Sequence, residues 1–267
     1  MNEEDLEMLR IRPPVVACVS GGKDSTALAL WLQEEHVEHR LMFMDTGWEH
    51  HETMTYLRDY LPGALGGEIE IPSQKWTFES LVRHEKIFPT MGRRFCTRHL
   101  KQKPMIALAK ATGAPMVVMA VGVRRQESRA RAKLPRWSEW VGHSNIWIWR
   151  PLIEWSVEDV VEIHGRHSVL PNPLYLRQAR RVGCWPCVFA SKEDIRFVAD
   201  TDPARIDTIR KMEEDLRCEE RSPTMFDIGS RAVPIDEVVK WARTSRGGRQ
   251  FNLFGREEGC ALWGMCE

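Results

Sequence analysis

The chain has 267 residues, 43% hydrophobic and 28% charged, which is the composition of an ordinary globular protein. Lysine plus arginine equals aspartate plus glutamate at 38 each, so overall charge predicts no polyanion partner, and any nucleic-acid surface must be a local patch. The sequence holds no run of about 18 apolar residues to span a membrane, and it starts acidic (Met1-Asn2-Glu3-Glu4-Asp5) where a secretory leader is basic and then apolar. A cytoplasmic, reducing location without membrane attachment is therefore expected, and clustered cysteines there point to metal or redox chemistry rather than disulfides.

In chain order, Val15-Val16-Ala17-Cys18-Val19 reads as a buried strand, and Thr26 to Glu35 carries Leu28, Trp31 and Leu32 at helical spacing. Leu41-Met42-Phe43-Met44 is a second strand, Glu68 to Ile71 a weaker third, Met116 to Val121 a fourth and Ile146-Trp147-Ile148-Trp149 a fifth. Lys101 to Thr112 reads as a helix closed by Gly113, and Ser156-Val157-Glu158-Asp159 opens another with a capping-box pattern. Strands alternating with helices predict an α/β fold, a Rossmann-like doubly wound and mostly parallel sheet. After about Pro171 the texture turns to proline, arginine and cysteine without a clear strand; Pro203 to Arg217 and Ile235 to Thr244 are its best helices. The expected division is a nucleotide-binding α/β domain over 1–165 and a smaller helical and irregular, cysteine-containing region over 166–267.

Between the first strand and its helix lies Ser20-Gly21-Gly22-Lys23-Asp24-Ser25. Two glycines let backbone N–H groups approach phosphate oxygens, and the helix that follows turns its positive end to the same anion. Ser20, Ser25 and Thr26 offer hydroxyl donors, Lys23 a compact positive charge, and Asp24 a carboxylate suited to orienting Mg²⁺ or a donor group. The Walker spacing is absent. The same residues also serve as a glycine turn capping an ordinary helix.

The six-residue loop resembles the PP-loop of N-type ATP pyrophosphatases, which cut ATP between its α and β phosphates and adenylate a substrate. Further segments resemble the phosphoadenosine phosphosulfate (PAPS) reductase branch of that superfamily. They are Asp45-Thr46-Gly47, Arg94-Phe95-Cys96-Thr97 with Leu100-Lys101, Gly122 to Ser128 with Arg131, Asn172-Pro173-Leu174-Tyr175, and Arg181 to Cys187. The resemblance runs over about residues 15–190 and is loose beyond.

It implies contact of Asp45 with the adenine nucleotide or its metal, although an aspartate after a strand is also a common turn residue. Gly122 to Arg131 follows the fourth strand, and ligands of open α/β sheets bind beyond the carboxyl ends of strands. Arg124, Arg125, Arg129 and Arg131 there are bidentate donors for phosphate or sulfate, Glu127 can orient one of them, and Ser128 can donate a hydrogen bond. Lys133 and Arg136 extend the patch toward a possible nucleic-acid acceptor.

Cys184-x-x-Cys187 brings two thiolates within reach of one metal. Adenylyl sulfate reductases with a [4Fe-4S] cluster carry adjacent cysteines and a later C-x-x-C; Cys96 lies in the corresponding segment, with Phe95 in place of a second cysteine. Cys96, Cys184 and Cys187 supply three ligands of a [4Fe-4S] cluster, with Cys260 or Cys266 as the fourth, and a four-cysteine Zn²⁺ site is the alternative. Cys218, placed in a helix, is a poorer candidate, and Cys18 reads as core.

The nucleotide ligand is expected to be ATP, or else adenylyl sulfate or PAPS. Reductases of the family usually have a degraded PP-loop, whereas Lys23 and Asp24 are intact here. Their terminal Glu-Cys-Gly with a nearby histidine is only echoed by Glu258-Gly259-Cys260. The favoured reading is ATP cleavage to AMP and pyrophosphate, with Lys23, Asp24, Arg124 and Arg131 catalytic. It adenylates a substrate and is coupled to iron–sulfur-dependent sulfur transfer. A sulfonucleotide reductase making sulfite and a non-catalytic nucleotide-binding module are the alternatives. An electron- or sulfur-donor protein is a possible partner.

Overall fold

A computed structural model describes residues 1–90, 92–218, 222–228 and 231–245. The chain forms two compact units that interleave in sequence: 1–44, 51–73 and 103–173 make the first, and 45–50, 74–102 and 174 onward the second. Two short segments leave the sheet region and pack with the C-terminal residues, a long-range pairing that local composition does not reveal.

The first unit contains helix α1 (Glu3–Leu9), strand β1 (Val15–Cys18), helix α2 (Lys23–Glu34), β2 (Arg40–Met42) and β3 (Ile69–Glu70). It continues with α3 (Lys103–Ala111), β4 (Val117–Val121), β5 (Trp137–Trp140), β6 (His143–Trp149) and α4 (Val157–Arg166). Six strands form one sheet in the order β3-β2-β1-β4-β6-β5, parallel throughout except that β5 runs antiparallel to β6. The α/β, mostly parallel fold expected from the sequence is thus present.

Side-chain alternation explains why β1 and β4 lie centrally. Val15, Ala17 and Val19 with Val118 and Ala120 face one core, together with Leu28, Leu30, Trp31 and Leu32 of α2 and Val160 and Ile163 of α4. Val16, Val117 and Met119 face the other, with Met105 and Ala109 of α3, and the half-buried Cys18 packs there as expected of a core residue. Both faces of the central strands are covered, which is why they read as unbroken apolar runs.

Strand β5 was not apparent in the sequence. Its place is fixed by α1, whose Asp5 is wholly buried. Asp5 accepts hydrogen bonds from Arg136 Nε (2.8 Å) and Nη2 (2.6 Å), Trp137 Nε1 (3.0 Å) and Trp149 Nε1 (2.8 Å). A charge without water is tolerable only when so fully paired. The acidic N-terminus is therefore a structural clamp on β5 and β6, and two of the tryptophans act as its donors.

The second unit packs around Trp48, Phe78, Leu81, Trp185, Ile195, Ile209 and Ile235. It contains a helix at Phe78–Glu85, α5 (Lys192–Thr201), α6 (Pro203–Asp215), the antiparallel pair β7 (Phe226–Ile228) and β8 (Arg231–Val233), and α7 (Ile235–Ala242). The pair β7–β8 corrects the strand-free expectation for this region. Cys218 is also corrected: α6 stops at Asp215, leaving that cysteine exposed beyond it. Among the described residues no helix is long and apolar enough to cross a membrane.

Candidate nucleotide and cysteine sites

In the first unit the strand order reverses between β1 and β4, so the loops after these two strands diverge at the carboxyl edge of the sheet, where ligands of such folds bind. The first loop is Ser20 to Ser25. Gly21 has φ +70°, and a Cβ there would sit 3.1 Å from Thr53 Cγ2 and 3.3 Å from Leu57 Cγ, so glycine is required on two counts. Gly22 caps α2 without a side chain, and its carbonyl accepts from Ser25 N and Thr26 N, both at 3.1 Å. Ser25 Oγ donates to the same carbonyl (2.9 Å) and accepts from Ser20 N (3.0 Å), closing the loop on itself. Ser20 Oγ lies 3.2 Å from Ser25 Oγ. Thr26 is wholly buried, and its Oγ1 has no hydrogen-bond partner among the described residues.

The second loop is Gly122 to Arg131. A Cβ on Gly122 would lie 2.3 Å from the Asp24 carbonyl oxygen, so β4 can end against the first turn of α2 only with glycine there. This contact brings Arg124 to the loop. Its Nε donates to Asp24 Oδ1, and Lys23 Nζ lies 3.3 Å from Asp24 Oδ2. Arg124 is only 4% exposed, so its carboxylate partner compensates a nearly dehydrated guanidinium. Asp24 therefore has two protein cations as partners, so that in this arrangement its carboxylate orients donor groups.

Glu127 holds the rest of the segment. Its Oε2 accepts from Arg124 N (2.8 Å) and its Oε1 from Arg131 Nη1, while Ser128 Oγ accepts from Arg131 N (3.2 Å). Arg125 turns outward to Glu154 at 2.8 Å. Arg136, expected to extend the basic patch, is instead the partner of buried Asp5.

Two buried residues behind the loop went unassigned in the sequence. His164 of α4, 1% exposed, places Nε2 3.0 Å from the Lys23 carbonyl oxygen and Nδ1 3.2 Å from that of Val169. Burial holds its pKa below the ordinary 6.5, although both carbonyls favour the protonated ring. Asn172 Nδ2 donates to the Gly21 carbonyl and to Thr53 Oγ1, both at 3.2 Å. These side chains engage loop carbonyls from behind. Asn172 stood in a motif; His164 carried no signal, because a histidine at one helical position is more often core than function.

The second unit gathers the cysteines. Asp45 belongs here, and its Oδ1 accepts from Gly47 N (2.8 Å), a local turn. Glu49, 7% exposed, accepts from Thr46 N (3.1 Å), Thr46 Oγ1 (2.8 Å) and Trp48 N (3.1 Å). Segment 45–50 then grips the C-x-x-C turn: Glu49 bridges Cys184 through the backbone, Trp185 N donates to Trp48 O (2.7 Å), and Trp48 Nε1 donates to Pro186 O (3.0 Å). Thr46 Oγ1 lies 3.8 Å from Cys184 Sγ.

Cys96 and Cys184 pack against the same core, and both are half-buried, as is Cys187. Burial pushes the Cys96 and Cys184 thiols up, and the Lys101 ammonium opposes this at Cys184. Lys101 is in turn held above its ordinary value, foremost by Cys184 and then, against burial, by Glu49, Cys187 and Cys96. The three thiols share one buried cation, Lys101, as an electrostatic neighbour, which is the compensation that anionic, metal-bound sulfur would need. Cys260 and Cys266 lie outside the described residues.

Residues 14–190 match the phosphoadenosine phosphosulfate reductase domain family. A protein of Escherichia phage 186, described as an uncharacterized 37.8 kDa protein, is 31% identical over 89% of this chain and 90% of its own length. An adenosine 5'-phosphosulfate reductase of Streptomyces coelicolor is 28% identical over 64% of this chain and 70% of its own. The crystal structure of a PAPS reductase from Candida auris, in a phosphate complex, is 18% identical with a TM-score of 0.49, covering 69% of this chain and 96% of that one. The chain belongs to the phosphoadenosine phosphosulfate reductase family.

Proposed function

We propose that the chain binds ATP at the Ser20–Ser25 loop and cleaves it to AMP and pyrophosphate, adenylating an acceptor for sulfur transfer. The observation that carries this reading is the Lys23–Asp24–Arg124 group at the switch point of the sheet. An acceptor nucleophile attacks the α-phosphorus and loses its proton to solvent. The α–β bridging bond breaks, and pyrophosphate leaves with the bond's electron pair. Its growing negative charge needs fixed donors: the N–H groups at the start of α2, with Gly21 and Gly22 keeping the approach open, and the Lys23 ammonium. Asp24 aligns the two cations, and Arg124 and Arg131 hold an anionic group of the substrate in line. Asp24's partners do not fit direct ligation of Mg²⁺, so no step is routed through that ion.

Cys96, Cys184 and Cys187 would hold an iron–sulfur cluster, which when bound supplies electron-transfer or sulfur-handling chemistry. Lys101 compensates their charge, and Thr46 and Glu49 orient the C-x-x-C turn. Three of the curated relatives are named adenosine 5'-phosphosulfate reductases, which supports a second reading, in which the nucleotide is a sulfonucleotide and the product is sulfite.

Asp24→Ala tests the first reading. Because it leaves the buried Arg124 without its partner, folding of the variant is checked by circular dichroism; the folded protein should lose pyrophosphate release by on the order of 10²-fold or more, the usual cost of removing a charge-organising group, and unchanged release would refute the assignment. The cysteine site is tested by composition: anaerobically purified protein should contain iron and acid-labile sulfide, and colourless protein holding zinc would contradict it.

A further inference from the structure

Balanced overall charge left any polyanion surface to a local patch, and three arginines of the expected patch are neutralised. Arg125, Arg131 and Arg136 pair with Glu154, Glu127 and Asp5. The second unit is different. Residues 92–102 and 175–190, which carry Cys96, Cys184 and Cys187, contain seven lysines and arginines and no aspartate or glutamate. Of these, Arg93 and Arg180 pair with Glu85 and Glu193, and Lys101 is buried beside Glu49, so exposed charge without an ion pair among the described residues lies at Arg94, Arg98 and Arg181.

Geometry joins the two segments. Arg94 lies over the ring of Phe189, 5.0 Å from its centroid, which puts a guanidinium on the aromatic that follows Cys187 by two residues. Arg181 lines a small hollow together with Cys184, Trp185, Cys187, Phe197 and one acid, Asp194. Arg94, Arg98 and Arg181 are exposed, and none makes an ion pair among the described residues. A small anion is held by donors converging on one buried point. Exposed guanidinia on the cysteine-bearing segments, one of them layered on an aromatic ring, instead suit a chain of phosphates with stackable bases.

We propose that this arginine-framed face of the second unit binds a nucleic-acid strand, making nucleic acid the acceptor class for the activity proposed above. The inference rests on that reading. Arg94, Arg98 and Arg181 contact phosphates, and the Arg94–Phe189 layer offers a base a stacking surface.

The experiment is fluorescence anisotropy of a labelled single-stranded oligonucleotide with full-length, anaerobically purified protein, from about 50 to 300 mM KCl. The expected result is a Kd that rises steeply with salt. The triple variant Arg94→Glu, Arg98→Glu, Arg181→Glu should bind at least about tenfold more weakly, with a salt slope shallower by about 2 to 3, near one unit per lost phosphate contact. The Arg94→Lys, Arg98→Lys, Arg181→Lys protein, which keeps the charge, should retain most of the binding and controls for misfolding. ATP binding is followed in parallel by thermal shift. ATP binding without oligonucleotide binding, or an unchanged salt slope in the glutamate variant, overturns the surface and leaves the nucleotide site standing. Loss of ATP binding in the unaltered protein sinks the underlying reading instead. Competition by a polyglutamate peptide at equal affinity would assign the face to an acidic protein and overturn the proposal.

Discussion

At the scale of single residues, the phosphate loop depends on groups that never face a ligand. His164 holds the Lys23 carbonyl from α4 while buried and uncharged at neutral pH. Because its folded pKa is depressed, the unfolded chain takes up the proton first. The stability it contributes is present above the ordinary value of 6.5 and is lost as pH falls below it. His164→Gln keeps an amide donor for the Lys23 carbonyl but cannot titrate. Thermal unfolding between about pH 7.5 and 5 should therefore show a shallower acid slope in the variant; identical profiles would show that His164 does not titrate in this way. This residue was invisible in the sequence, whereas Ser20 to Ser25 was legible because its glycines, strand and helix are local features. What the motif did not reveal is that Asp24 faces Lys23 and Arg124, a partnership spanning 100 residues.

At the scale of elements, the site is assembled where β4 meets the first turn of α2. Gly122 makes that meeting possible, because any side chain would overlap the Asp24 backbone. Gly122→Ala should displace Arg124 from Asp24 and cost about 1–3 kcal/mol, the range for forced overpacking, measured by denaturant unfolding. A cost near zero, with nucleotide binding intact, would mean the two elements can separate without harm. Strands β1, β2 and β4 were readable from their apolar runs and α4 from its Ser156 cap, which accepts from Asp159 N at 3.1 Å. Strand β5 was not, because Trp137-Ser138-Glu139-Trp140 acquires its meaning only from pairing with β6 and from Asp5 far upstream. Strands β7 and β8 are three residues each, too short for periodicity to register.

At the scale of the whole molecule, the chain divides its chemistry between two units. One carries the phosphate loop and the arginine segment; the other carries Cys96, Cys184 and Cys187 with Lys101 and Glu49. The change of texture after Pro171 pointed to the C-terminal part of the second unit, whereas the interleaving of 45–50 and 74–102 with it is a long-range property that no local pattern encodes. The loop is proposed to serve cleavage of ATP. Its most direct test is to offer the anaerobically purified protein ATP, adenylyl sulfate and PAPS separately, with candidate acceptors, and to assay both pyrophosphate and sulfite. The account predicts pyrophosphate and AMP from ATP and no sulfite from the sulfonucleotides. Sulfite from adenylyl sulfate or PAPS, with ATP left intact, would contradict it.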